Sequence, residues 1–243
     1  MDSSFVIIAA GLIFMLAGVI HGISGFGFSI IATSLMALMI DPKIVVPLSV
    51  IVASANSFYM AWIYRKKVLY KQILSILVIT FLTIPLGTLY LKKADREIVV
   101  RSLGVLIVII SLMSIFNLQK AAFFKTRIYR FLAGALAGLF GGAFNITGPP
   151  LVIYAYNSHW PLQNAKANLQ MIFSVMGVII IASFIQAELL SLRITFTGLM
   201  YIPVVMVATW TGHYISTKIK SASLGLIINI LTALMGLSLI IKG

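Results

Sequence analysis

The chain of 243 residues is 61% hydrophobic and only 9% charged, with a mean hydropathy of +1.10, whereas soluble domains carry roughly 25% charged residues. This composition indicates a polytopic membrane protein without room for a soluble domain. The net charge is +13, but the basic residues lie in short loops between apolar runs, which encodes membrane orientation and argues against nucleic-acid binding. The absence of cysteine excludes disulfides, thiolate nucleophiles and cysteine metal sites.

The first apolar run, residues 3–40, is uncharged apart from His21 and contains the glycine-rich segment GVIHGISGFGF at 18–28. As one helix at about 1.5 Å per residue, it would extend far beyond a hydrocarbon core of roughly 30 Å. We therefore predict two short helices joined at the glycines. The N-terminus lacks the positive region of a cleaved signal, so we expect this run to be retained.

Six ordinary spans are predicted from uncharged runs whose lengths suit the roughly 17 to 25 residues that cross hydrocarbon. They lie at 44–64, 73–91, 102–118, 167–187, 194–217 and 221–241. Between the third and the fourth is a second glycine-broken run, GALAGLFGGAFNITGPP at 134–150. Its final Gly-Pro-Pro would restart a helix with proline in the first turn.

The two broken runs indicate an internal duplication. An offset of 116 residues aligns Gly18, Gly22, Gly25 and Phe28 with Gly134, Gly138, Gly141 and Phe144. A further match, GTLYLKK from position 87 against GHYISTK from position 212, has an offset of 125. We therefore predict two transmembrane repeats, residues 1–119 and 120–243, each with a broken helical hairpin followed by three transmembrane helices.

Charge decides between two topologies for the broken runs. If each hairpin returns to the side it entered, one side of the membrane carries eleven of the eighteen basic residues and the other carries all five acids. If each run crosses once, the basic residues divide ten against eight. The positive-inside rule favours the stronger asymmetry. The predicted fold class is therefore an all-α polytopic membrane protein of two inverted repeats, with both termini outside.

Both breaks are predicted to meet, because an unpaired backbone group in hydrocarbon survives only where protein or a water-filled cavity covers it. The half-helix N-termini present amide N–H groups and a positive dipole end, which suits an anion. Polar side chains that could bind it are Ser24, Asn145 and Thr147 beside the breaks, and Asn56, Asn168 and Gln170 in neighbouring spans. For each of them, packing and hydrogen bonding between helices is the alternative role.

His21 and His213 are the titratable side chains near neutrality within apolar runs. They are candidates for coupling or gating, and a packed, neutral histidine is the alternative. No acid lies deep in a span, so a carboxylate proton relay is absent. No zincin, nucleophile-elbow or Walker motif occurs, so we expect no catalytic residue, metal or cofactor and no enzyme activity.

The half-repeats open with Gly-x-x-x-Gly-x-x-Gly-x-Gly and Gly-x-x-Gly-Gly, and Gly148-Pro149-Pro150 follows the second. This pattern resembles the sulfite exporter TauE/SafE family of bacterial and archaeal membrane proteins over nearly the whole chain. The resemblance implies transport of sulfur-containing anions such as sulfite, sulfonates, sulfoacetate or thiosulfate, usually outward across a prokaryotic plasma membrane. The break residues matched to its substrate site are Ser24, Gly25, Gly27, Asn145, Thr147 and Gly148.

These observations predict a secondary transporter that exports a small anion by alternating access. The alternatives are a proton- or sodium-coupled importer, a channel-like anion pore, and a membrane scaffold without a substrate. The expected partners are the anion and the lipid bilayer, without nucleic acid. The sequence leaves the substrate, the coupling ion and the oligomeric state, including a homo-oligomer, open.

Overall fold

The computed structural model describes residues 3–118, 122–158, 160–216 and 222–242, which fold into ten α-helices without a strand. The helices are α1 Ser3–Ser24, α2 Phe28–Ala37, α3 Pro42–Tyr64, α4 Tyr70–Lys93, α5 Arg96–Ile115, α6 Arg127–Phe144, α7 Gly148–Asn157, α8 Leu162–Gln186, α9 Leu192–Ser216 and α10 Ala222–Lys242. Each half thus has a helix, a break, a short helix and three long helices, which confirms the all-α class. The predicted repeat boundary between residues 119 and 120, and the loop lysines Lys120, Lys218 and Lys220 used for orientation, lie outside the described residues.

Six helices in the described ranges are long and apolar enough to cross a membrane, namely α1, α3, α4, α5, α8 and α9. Five of these six coincide with ordinary spans predicted from the sequence. The remaining one, α1, contains a candidate span of 19 residues, Val6–Ser24. The prediction of two short helices in the first run is therefore wrong about α1, because the chain continues as helix through Gly18 and Gly22 and breaks only after Ser24.

Helices α3 and α8 occupy the centre of the molecule, whereas α9 lies at its periphery. Of the most apolar window of α3, 72% is buried, against 22% for α9. Many large apolar side chains on the outer helices are exposed, including Leu82 on α4 and Met200 on α9. An outward apolar surface of this kind suits lipid, in which every backbone polar group must be satisfied within the protein.

Three close helix crossings depend on glycine. Where α1 crosses α9, a Cβ on Gly22 would lie 2.1 Å from the Thr209 carbonyl oxygen, and one on Gly212 would lie 2.1 Å from the Val19 carbonyl oxygen. Real Cβ atoms essentially never approach other atoms this closely. Small residues permit such backbone contact between membrane helices.

The crossing of α6 with α4 has the same construction. A Cβ on Gly142 would lie 2.2 Å from the Ile84 carbonyl oxygen, and one on Gly87 would lie 2.1 Å from the Leu139 carbonyl oxygen. In each case the first helix of one half packs against the fourth helix of the other half. Gly104 of α5 and Gly236 of α10 form a third reciprocal crossing between the fifth helices of the two halves.

These contacts relate the helices of the two predicted repeats to one another. Gly22 faces the Thr209 oxygen and His213 nitrogen, and Gly142 faces the Ile84 oxygen and the Thr88 nitrogen. The facing atoms on α9 and α4 are 125 residues apart, which is the predicted offset that aligns Gly87 with Gly212. In contrast, α1 corresponds to α6 at an offset of 120 residues rather than 116. The predicted register was wrong by one helical turn, because small residues recur every four positions and the pattern matches itself when it is shifted by four.

Candidate functional site

The first break comprises residues 25–27, between α1 and α2. Gly25 has a φ of +80° and Gly27 a φ of +93°, the left-handed region that glycine adopts readily. A Cβ on either glycine would meet nothing within 4 Å, so backbone conformation requires glycine here and crowding does not. The Ser24 hydroxyl oxygen lies 2.5 Å from the Phe26 carbonyl oxygen and 2.7 Å from that of Ile20. Ser24 therefore holds the backbone of the break, and it was predicted as a ligand contact.

The second break comprises residues 145–147, between α6 and α7. Asn145 has a φ of 59°, a conformation that asparagine tolerates better than most residues. Its backbone N–H donates to the Gly141 carbonyl at 2.8 Å, which closes α6. Helix α7 then begins at Gly148, with prolines in its first turn, as the sequence predicted.

The two breaks line one cavity, together with the central helices α3 and α8. Phe26 and Gly27 approach it from the first break, and Ile146 and Thr147 approach it from the second. Its polar lining consists of His21, Ser29, Ser54, Ser57, Asn145 and Thr147. The volume open to the centres of water-sized molecules is about 40 Å³. A single water needs roughly 10–15 Å³ of such volume. The prediction that the breaks meet is confirmed, and the cavity has room for a small anion or a few waters.

Two helix N-termini lie at the wall of the cavity. Phe28 and Ser29 at the start of α2 line it, and so does Gly148 at the start of α7. The first-turn N–H groups of a helix have no intrahelical acceptor and carry a partial positive charge. Pro149 and Pro150 each lack an N–H, so α2 offers more donors than α7. The lining in the described residues includes no Lys, Arg, Asp or Glu.

Each break is held by the third helix of the opposite half. The Gln170 side-chain nitrogen, on α8, donates to the Gly25 carbonyl oxygen at 2.8 Å. The Asn145 side-chain nitrogen donates to the Ser49 hydroxyl on α3 at 3.3 Å. Ser49 in turn lies 3.2 Å from the hydroxyl oxygen of Thr33 on α2. Two reciprocal braces therefore join the halves at the cavity.

His21 reaches the cavity from the last turn of α1. Its side chain is 4% exposed, and neither ring nitrogen has a hydrogen-bond partner in the described part of the chain. The ring stands edge-on to Phe28, with centroids 6.5 Å apart. A buried polar group without a partner costs free energy, so a ligand or water that satisfies this imidazole would bind favourably.

Six predicted site residues are not among those that line the cavity, namely Ser24, Gly25, Asn56, Asn168, Gln170 and His213. Ser24, Gly25 and Gln170 instead take part in the hydrogen bonds of the first break. Asn168 accepts a hydrogen bond of 2.8 Å from the Leu69 N–H and so anchors the turn that precedes α4. Asn56 is buried, and both atoms of its side-chain amide lack a partner within the described ranges. His213 is exposed beside the crossing of α1 and α9.

Sequence reasoning missed Ser54 and Ser57, which line the cavity from α3. Their spacing of three residues places both on one helix face, and this spacing could have indicated from the sequence that they line a cavity. The indication is weak, because serine is also common where membrane helices pack. Gly177 of α8 lines the cavity opposite Ser54, and a Cβ there would lie 2.3 Å from the Ser54 hydroxyl.

Comparison with known proteins identifies the family of the chain. The family model described as Sulfite exporter TauE/SafE matches residues 10–239. The chain therefore belongs to the Sulfite exporter TauE/SafE family, a family of membrane transporters. Searches of curated proteins and of solved structures found no match.

Proposed function

We propose that this member of the Sulfite exporter TauE/SafE family is a secondary transporter that exports a small sulfur-containing anion across a prokaryotic plasma membrane. The observation that carries the proposal is the meeting of two helix breaks in one cavity, with the N-termini of α2 and α7 at its wall. Broken helices whose N-terminal ends point at an anionic group are a recurring substrate site in transporters.

The anion would bind first to the break before α2. Gly27 has a left-handed backbone, and no described atom lies within 4 Å of the place that a Cβ on it would occupy. The backbone at Gly27 is therefore accessible. The free N–H groups of the first turn of α2 would donate to the anion oxygens. The hydroxyls of Thr147 and Ser29 line the same space and would complete the hydrogen bonds.

Alternating access would follow from the way in which the two halves interlock. The proposed inverted repeats contribute one break each, and the braces from Gln170 to Gly25 and from Asn145 to Ser49 cross between the halves. A rocking motion of one half against the other would shift both braces together. The cavity would then open to alternate sides of the membrane.

Export of a monovalent anion needs no coupling ion. An inside-negative potential of 100 mV contributes about 2.3 kcal/mol per charge in the outward direction. This free energy sustains roughly a 50-fold concentration gradient. The absence of a carboxylate among the described cavity residues is compatible with such a potential-driven exporter.

The experiment is uptake of labelled sulfite into proteoliposomes under an imposed potential, with sulfate, thiosulfate and small sulfonates as competitors. Saturable, potential-driven flux is expected. Thr147→Val keeps the shape of the side chain and removes its hydroxyl, so it should weaken the apparent affinity roughly 10- to 100-fold. The matched control is Thr211→Val, because Thr211 is half-buried on α9, does not line the cavity, and donates its hydroxyl to the Val207 carbonyl.

Three results would contradict the proposal. Absence of flux from folded, inserted protein for every one of these anions would remove the transport function. Flux that rises without saturation would indicate a pore. An equal loss in Thr147→Val and Thr211→Val would show that the cavity is not the site.

A further inference from the structure

We propose that the cavity selects its substrate by charge, so that it binds monoanions such as hydrogensulfite and sulfonates and rejects dianions such as sulfate and thiosulfate. This inference rests on the proposed function of the cavity as the anion site. It goes further by naming the charge state of the substrate and by assigning His21 as a contact residue.

The protein supplies only limited positive charge to the cavity. The lining contributes no lysine or arginine in the part of the chain that the structure describes. Its positive potential comes from the N-termini of α2 and α7, each equivalent to about half an elementary charge. The C-terminal ends of α1 and α6 lie at the same breaks and carry the opposite partial charge, so the cavity balances at most about one negative charge. A second charge on the anion would lie buried without a partner, which is strongly unfavourable.

His21 is the one titratable side chain among the described lining residues, and its surroundings lack a negative charge. Helices α2 and α9 pack against α1, and α2 carries no titratable residue. The titratable residues of α9 are Arg193, Tyr201, His213 and Tyr214. Tyr201 donates its hydroxyl to the Ile7 carbonyl at 2.9 Å, and the other three side chains are exposed. No carboxylate on these helices therefore faces His21 to hold a positive imidazolium.

The His21 imidazole offers two hydrogen-bonding groups to a ligand. A neutral imidazole has one N–H donor and one acceptor nitrogen, and both nitrogens of His21 are buried without a hydrogen-bond partner in residues 3–118, 122–158, 160–216 and 222–242. The N–H would donate to an anion oxygen. The acceptor nitrogen would accept a hydrogen bond from the O–H of a singly protonated oxyanion, or from a water beside a sulfonate. A dianion adds a second negative charge that neither the neutral imidazole nor such a water balances.

The test measures competition and pH dependence in wild-type proteoliposomes. Methanesulfonate, which is a monoanion at every pH used, should compete with sulfite, whereas sulfate and thiosulfate should not. Sulfite itself changes from monoanion to dianion near neutral pH. Its apparent affinity should therefore fall roughly tenfold between pH 6 and pH 8, while that of methanesulfonate stays constant.

Substitutions at His21 test the contact directly. His21→Gln keeps a donor and an acceptor and should weaken sulfite binding less than His21→Leu does. His21→Leu removes both and should weaken sulfite binding roughly tenfold or more. His21→Lys adds a fixed positive charge and should shift competition towards sulfate.

The inference is overturned if sulfate or thiosulfate competes with sulfite as well as methanesulfonate does in the wild type. It is also overturned if a folded His21→Leu protein binds sulfite with wild-type affinity. The wild-type competition series needs no variant, so it remains decisive if a substitution prevents folding. Absence of all anion flux would instead contradict the proposed function, and the two failures are therefore distinguishable.

Discussion

The substitution Gly22→Ala tests the link between helix packing and transport. A Cβ at this position would lie 2.1 Å from the Thr209 carbonyl oxygen and 2.6 Å from the His213 nitrogen. Both are backbone atoms and cannot rotate away, so α1 and α9 must separate by about 1 Å to reach normal contact. We expect overpacking to lower the free energy of unfolding by about 1–3 kcal/mol.

The same displacement should reach the cavity, because His21 is the neighbour of Gly22 in the last turn of α1 and the first break follows directly after this helix. A misplacement of about 1 Å at a functional site can reduce activity roughly 100-fold. The assays are thermal unfolding in detergent and sulfite flux in proteoliposomes. The matched control is Gly11→Ala on the same helix, where a Cβ would lie 3.5 Å from the Tyr201 ring, an ordinary contact.

Gly11→Ala should leave the free energy of unfolding unchanged or raise it by up to about 1 kcal/mol, since alanine has a higher helix propensity than glycine. If Gly22→Ala unfolds at the same temperature and transports at the same rate as Gly11→Ala, the reasoning is refuted. The close approach of α1 and α9 would then have no role in stability or in positioning the break.

Three further predictions concern the breaks and the topology. Gly25→Asn should retain wild-type stability, because asparagine tolerates a left-handed backbone. Gly25→Ala should lower the free energy of unfolding by about 1–2 kcal/mol. Equal losses of stability in the two variants would contradict this prediction. Asn145→Gly removes only the hydrogen bond to Ser49, and Asn145→Ala also strains the backbone, so the alanine variant should melt at the lower temperature of the two. In the cysteine-free chain, Lys66→Cys should react with a membrane-impermeant reagent only from the cytoplasm and Glu97→Cys only from outside. The reverse pattern at either position would exclude the proposed orientation.

The composition and the two glycine-broken runs were sufficient to predict the class and the order of helices. The sequence also located both breaks, since the structure places them at residues 25–27 and 145–147. The register was less accessible, because Gly134, Gly138 and Gly142 repeat at the spacing of one helical turn. Only the facing backbone atoms of α4 and α9 distinguish an offset of 120 from one of 116.

The individual roles of polar residues were also beyond sequence reasoning. Ser24 and Asn168 have the chemistry of ligand contacts, but their oxygens bond to nearby backbone. Gln170 reaches the first break, and it does so by donating to a backbone carbonyl. Ser54 and Ser57 line the cavity without any distinctive motif. Hydrogen-bonding residues in membrane helices have the same composition whether they face a neighbour or a cavity.

The sequence by itself determined that this chain is a multi-helix membrane protein with two glycine-broken segments, and it predicted a duplication. It could do so because hydrophobic length, glycine and proline act locally along the chain. Only the tertiary structure decided that both breaks share one cavity, that each is braced by the opposite half, and that His21 lies buried there without a hydrogen-bond partner among the described residues. These properties depend on which helices meet and at what rotation, and close backbone contacts between distant segments determine both.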